Sequence, residues 1–242
     1  MTRLSVEAIS AVSERAVLYD RGDALAGDAE RFARTISSFG TRFSDISVLR
    51  DGQAVVTDLA LRAVDGLGHP YREETLVFVQ SGHDQDHLTV PLPRIAEELS
   101  WPVREDLAVT HLEQLGGTAV FDLLQWLLAP DGQAAVLLTD RPELAFHGDA
   151  VPTGAVVALR VRPGDGPLRV LDWGEGAPAV AERTLTATGP VAPWLRLLTE
   201  ITTGRLAPGT RVVLATGPTG RRGWALIELA DPIALGATHV IG

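Results

Sequence analysis

Histidines and carboxylates gather at two places in this sequence where they could do chemistry. His83, Asp84, Asp86 and His87 stand together in the polar stretch SGHDQDH. In an extended loop, His83, Asp84 and His87 can converge on zinc or iron, since imidazole and carboxylate ligands suit both metals. The competing reading is a solvated loop after a strand, because the cluster lacks a helical or finger spacing. His111 and Glu113 are two residues apart, so on a strand they share a face. They can serve as an acid–base pair beside Thr110 and Thr118, or satisfy each other and the backbone where two subunits meet.

His111 and Glu113 flank a setting suited to a nucleophile. Asp106 to Leu127, DLAVTHLEQLGGTAVFDLLQWL, reads as an apolar strand over 107–112, a tight turn at Gly116-Gly117 and an amphipathic helix over 117–128. Such a path lifts one side chain to a helix N-terminus, where the dipole and free N–H groups stabilise a thiolate or an oxyanion. That position carries Leu115, and the sequence contains no cysteine. Leucine has no lone pair, so nucleophilic catalysis has nothing to start from. Further along, Gly217, Gly220 and Gly223 have a phosphate-cradle spacing, but WALIEL after them reads as strand where a cradle needs a helix. Arg221 and Arg222 beside them could contact a phosphopantetheine or an acidic helix, or be two solvated charges. Trp126, Trp173, Trp194 and Trp224 read as core or interface anchors.

The elements that must position these residues alternate between strand and helix. The stretch 52–67 places Val55, Val56, Leu59, Ala60, Ala63 and Leu67 on one helical face. Apolar runs at 75–80, 134–139 and 154–161 have the composition of strands buried on both sides. A shorter strand is expected near Leu168–Leu171, then a helix over Pro193–Thr203 with Pro near its start and Gly204 past its end. Two strands, 211–216 and 224–229, close the pattern. Strand–helix alternation of this kind is an α/β architecture.

Composition narrows the function. The formal net charge is -10 and all 21 basic residues are arginine, which is a poor surface for nucleic acid. No run of 18 apolar residues is present, so no membrane-spanning helix is expected. The N-terminal stretch is interrupted by Glu7, Glu14 and Arg15 and does not read as a signal peptide, so a cytoplasmic location is expected. Neither a disulfide framework nor a thiolate metal site can form without cysteine.

Four segments, in order, resemble the ketoacyl synthase III branch of the thiolase-fold family. GQAVVTDLALRAVDGL followed by EETLVFVQSG is similar to the family's helix leading into its first central strand. DLAVTHLEQLGGTAVFDLLQWLL with AAVLLTD is similar to its nucleophile strand, buried helix and following strand. FHGDAVPTGAVVALRV resembles the segment that closes the first half, and TTGRLAPGTRVVLATGPTGRRGWALIEL resembles the C-terminal pair of strands around a Gly-rich turn. The resemblance implies a layered αβαβα fold with a shortened second half, divided into 1–165 and 166–242. It places Trp126 in the buried centre, behind Leu115.

The family's chemistry is Claisen condensation or acyl transfer through a cysteine, with histidine and asparagine stabilising the developing charge. Carried onto this sequence, the cysteine position falls on Leu115 and the asparagine position near Ala187. No histidine occurs in 165–190, where the third group would lie. In the family the Gly-rich turn lends a backbone N–H to the oxyanion. The resemblance therefore implies a catalytically silent subunit that pairs with an active ketosynthase or acyltransferase homologue in fatty-acyl or secondary-metabolite biosynthesis. Acyl carrier protein or acyl-CoA are further partners it implies, and no cofactor is required. Two alternatives stand beside it. One is an independent acyltransferase or hydrolase using His111 and Glu113 or the His83–His87 site; the other is a non-catalytic acyl- or carrier-protein-binding homodimer.

Overall fold

Strand β1 (Leu4–Ser13) is buried along almost its whole length, its serines included, because it is covered on both sides. A bulge at Glu7 shifts its alternation by one residue, so Leu4 and Val6 before it and Ile9 and Ala11 after it all join the same core. The computed structural model describes residues 3–13, 19–21, 46–49, 52–70, 73–80, 91–99, 102–110, 112, 115–140, 144–146, 154–178, 180–216 and 222–241.

After β1 come β2 (Tyr19–Arg21), β3 (Ile46–Leu49), α1 (Gly52–Asp65), β4 (Glu74–Gln80), α2 (Pro91–Glu98) and β5 (Val103–Val109). Then follow α3 (Gly116–Leu127), β6 (Ala134–Thr139), β7 (Leu144–Phe146), β8 (Ala155–Pro163), β9 (Leu168–Glu175) and β10 (Arg183–Ala187). The series ends with α4 (Ala192–Thr202), β11 (Arg211–Thr216), β12 (Gly223–Leu229) and β13 (Gly236–Ile241). A ten-stranded mixed sheet runs β10-β11-β12-β9-β1-β8-β6-β4-β5, with β13 also paired to β1. β2, β3 and β7 form a separate antiparallel sheet.

The long sheet repeats a pattern. β6 is parallel to β4 and antiparallel to β8, and β8 is antiparallel to β1. On the other side β11 is parallel to β10 and antiparallel to β12, and β12 is antiparallel to β9. A helix precedes β6 and β11 alike. One core takes Val77, Val136 and Val157 from the first half, Val170, Leu214 and Ile227 from the second, and Phe121 of α3 and Trp194 of α4 between them. A second core lies on the outer face of the first half, where Val56, Leu59 and Ala63 of α1 cover Leu76, Phe78 and Leu137. At its end Arg160 donates to Glu74 (Nε to Oε1, 2.7 Å) and to the carbonyls of Leu67 and Gly68, and Gln133 also donates to Glu74. That buried pair fastens the C-terminal end of α1 to the sheet with its polar groups satisfied.

The fold is α/β and layered with a shortened second half, and the pattern locates the shortening. β9 and β10 are joined by 176–182, too short for a counterpart of the 14-residue α1. Between β10 and α4 lie only 188–191, with no room for counterparts of α2 and β5. Among the described residues no helix covers the outer face of the second half. There Arg169 and Arg211 both donate to Glu228, a polar row where the first half is apolar.

Candidate functional site

Leu115 forms a single tight turn ahead of α3, its N–H donating to the Leu112 carbonyl at 2.8 Å. Its carbonyl accepts from Thr118 Oγ1 at 3.2 Å. The side chain is 4% exposed. Gly223, the first residue of β12, rests on it: a Cβ there would lie 3.1 Å from Leu115 Cδ2 and 2.2 Å from Thr118 Oγ1. The N–H of Gly223 donates to Thr216 Oγ1 at 3.0 Å, and that hydroxyl lies 3.2 Å from the Gly223 carbonyl. The N–H of Leu115 and that of Gly223 thus already have acceptors within the protein. Ala187 ends β10 opposite Thr216 in the ladder. The two positions to which the resemblance assigns cysteine and asparagine are therefore joined through Thr216 and Gly223, and both carry side chains without chemistry.

Gly116 and Gly117 do not make the expected turn; they open the helix itself. Their role is close approach. A Cβ on Gly116 would meet Val79 Cγ1 at 2.8 Å, and one on Gly117 would meet the Pro190 carbonyl oxygen at 2.1 Å. The N-terminus of α3 therefore sits directly against the entry to α4, and Trp194 Nε1 donates to the Gly117 carbonyl at 2.8 Å to lock the contact. The ring of Phe121 packs between Trp173 and Trp194, with centroids 6.1 and 6.0 Å away.

One ionisable group at this junction was not singled out from the sequence. Asp140, at the end of β6, is buried and accepts the N–H of Val191 at the start of α4, at 3.2 Å. Burial pushes its pKa up to about 7, against the opposing pull of that hydrogen bond. Gly189, with φ +84°, lets the chain pass it, since a Cβ there would lie 2.7 Å from Asp140 Oδ1. A carboxylate closing the run of five apolar residues and a threonine in β6 was the available signal. Its partner, 51 residues away, left no local trace.

Trp126 corrects an expectation. It is 86% exposed, whereas Phe121 and Leu124 of the same helix are buried. The reason is the helix phase: Trp126 follows Asp122 by four residues on the face turned away from the core. Trp194 and Trp224 are buried, and Trp173 is half-buried against the central core. Thr118 is buried and Arg222 exposed. His83, Asp84, Asp86, His87, His111, Glu113, Gly217, Gly220 and Arg221 lie outside the described residues. Among the described residues no three His, Asp or Glu side chains converge as metal ligands.

No protein-family profile and no curated protein matches the chain. Solved structures do. ChlB3, described as an acyltransferase, aligns with a TM-score of 0.65 at 12% identity, over 96% of this chain and 99% of the other. 3-Oxoacyl-(acyl carrier protein) synthase III, FabH, from Pseudomonas aeruginosa PAO1 aligns at 0.58 and 17% identity, over 95% and 98%. A single-residue variant of OleA from Xanthomonas campestris aligns at 0.62 and 10% identity, over 94% and 98%. The shared property is the fold, a thiolase-like one of the ketoacyl synthase III kind.

Proposed function

From the ketoacyl synthase III-like fold of this chain, we propose that it is a catalytically silent subunit of an acyl-transferring or condensing complex. It pairs with an active ketosynthase or acyltransferase homologue and shapes or stabilises that protein's acyl pocket. The observation that carries the reading is position 115: a buried leucine, with its own N–H and that of Gly223 both held by internal acceptors. Covalent acyl transfer needs a nucleophile and donors aimed at the developing oxyanion; here the side chain and those donors are unsuited together. The neighbouring folds support the biosynthetic class, since they include an acyltransferase and a protein described as a tetronic acid condensing enzyme.

The test is co-expression with the ketoacyl synthase III-like protein encoded nearest to it, followed by size exclusion with light scattering and an acyl-transfer assay. The expected result is a one-to-one complex whose activity needs this chain. Acyl transfer by the purified chain alone, abolished by a point substitution within it, would overturn the proposal.

A further inference from the structure

At the end of the sheet away from Leu115, a cavity of about 430 Å³ opens beside the first residues of β4, β5 and β6 and the last turn of α3. The 12 residues of α3, about 18 Å of helix, separate it from position 115. Its size is that of a small-molecule site.

The ladder brings polar groups to it. Thr75 is directly opposite Glu105 on β5 and Ala134 on β6. By alternation it shares the inner face with Val77 and Val79, both in the central core. α3 ends at Leu127 and the chain then turns at Ala129–Gly132, so the row of Thr75 and Glu105 lines a cavity rather than a helix face. Leu127 and Leu128 supply an apolar wall.

Two lining side chains are buried, Thr75 at 6% exposure and Gln133 at 5%. The Thr75 hydroxyl has no partner among the described residues. Gln133 uses its NH2 on Glu74, which leaves its carbonyl oxygen as an acceptor. At the rim, Glu73, Glu105 and Asp131 stand against one guanidinium, that of Arg104. Glu73, Arg104 and Glu105 have no ion pair among the described residues. Rim charges alone would be an ordinary solvated face; the buried hydroxyl and carboxamide beneath them single out a site.

This inventory is rich in acceptors and negative charge, and apolar on one side. A carboxylate or phosphate would be repelled by the rim, and a plain hydrocarbon would leave Thr75 and Gln133 unanswered. An ammonium brings three donors and a positive charge. We propose that the cavity binds a small aliphatic primary amine. Its ammonium is held by Glu105 and the oxygens of Thr75 and Gln133, and its chain lies against Leu127 and Leu128. The site is separate from position 115 and does not depend on the pairing reading.

The test titrates the full chain with pentylamine and follows it by two-dimensional amide NMR, with pentanol and pentanoate as uncharged and anionic counterparts. The expected result is saturable shifts around Thr75, Gln133 and Leu128, with a Kd of about 1 mM or tighter. The two counterparts should bind at least about tenfold more weakly. Glu105→Gln and Thr75→Val should each weaken pentylamine about tenfold or more, the loss expected for one hydrogen bond to a charged group. Thr75→Val keeps the side-chain shape and removes only an unpartnered hydroxyl, so its melting temperature should not fall. Glu97→Gln, exposed on α2, should leave binding unchanged. Pentanol binding as tightly as pentylamine overturns the ligand class. Equal weakening by Glu97→Gln and Glu105→Gln reduces the effect to diffuse attraction and overturns the site. Absence of saturable shifts overturns the proposal outright, and none of these outcomes bears on the pairing reading.

Discussion

The two halves of the long sheet share strand directions and a preceding central helix, yet their outer faces are opposites. In the first half Leu76, Phe78 and Leu137 are buried beneath α1. In the second, Arg169, Glu228 and Arg211 form a half-exposed ionic row across β9, β12 and β11. Both halves keep the central layer, where α3 and α4 touch through Gly117, Pro190 and Trp194. The outer helices are thus the dispensable part of this architecture, provided the uncovered sheet face turns polar. The central helix pair is not dispensable, because each half's inner face is apolar and has nothing else among the described residues to cover it.

The largest effect should come from attacking what the halves share. Gly117→Val places atoms where the Pro190 carbonyl already lies 2.1 Å from a bare Cβ. Because backbone blocks it, the cost is on the order of 4 kcal/mol or more, comparable to the whole stability of a marginal domain. Chemical denaturation should show a collapsed midpoint.

The next test separates the halves. Arg160→Ala strands Glu74 in the first half without its cation, which costs about 3–5 kcal/mol for a buried pair. Arg211→Ala removes an exposed partner of Glu228 in the second half and should cost under about 1 kcal/mol. Equal losses in the two variants would mean that the polar face is as structural as the covered one.

Asp140 joins the halves and gives the comparison a pH axis. Its folded pKa, about 7, lies above the unfolded value of about 3.9. Below pH 4 the group is neutral in both states and contributes nothing. From pH 4 to 7 the unfolded chain holds fewer protons than the folded one, so stability falls as pH rises, and the penalty is complete above pH 7. Asp140→Asn retains an acceptor for the Val191 N–H and lacks the charge. Its advantage over wild type should grow from near zero at pH 4 to about 2–4 kcal/mol at pH 8. A difference independent of pH would mean that Asp140 is solvated.

Leu115→Cys is the smallest perturbation. Loss of part of a buried aliphatic side chain should cost about 1–2 kcal/mol. Intact mass after incubation with an acyl-CoA should show no adduct, and stoichiometric acylation would show that leucine alone had silenced the site.

The sequence revealed most where burial is symmetric. β6 has the bounds expected of it, because a strand covered on both faces is buried throughout and apolar at nearly every position. The apolar pattern puts β5 at 107–112, but the strand runs over 103–109, since an exposed edge tolerates Arg104, Glu105 and Asp106 and leaves no pattern to read. Gly116-Gly117 read as a turn because the need for closeness to Pro190, over 70 residues later, has no local signature. Of the site, the leucine at the strand–helix junction was legible from residue type alone. The engagement of its N–H and of Gly223 was not, because hydrogen-bond partners depend on which turns the tertiary fold brings together. β10 and β13 went unread for a similar reason: their short, half-polar sequences become strands only beside β11 and β1.

That last pairing has a consequence for how the protein comes into being. β1 is flanked by β9 only at Leu4–Val6; from Ala8 to Ser13 its neighbour on that side is β13, with Ala8 opposite Gly236. During synthesis β1 leaves the ribosome well over 200 residues ahead of β13, the strand that closes that flank. Until then it offers an apolar, unpaired ribbon to whatever is nearby, the circumstance in which nascent chains misassociate or engage chaperones. Removing the residues from Gly236 onward should therefore harm the yield of folded protein more than the loss of so short a strand suggests.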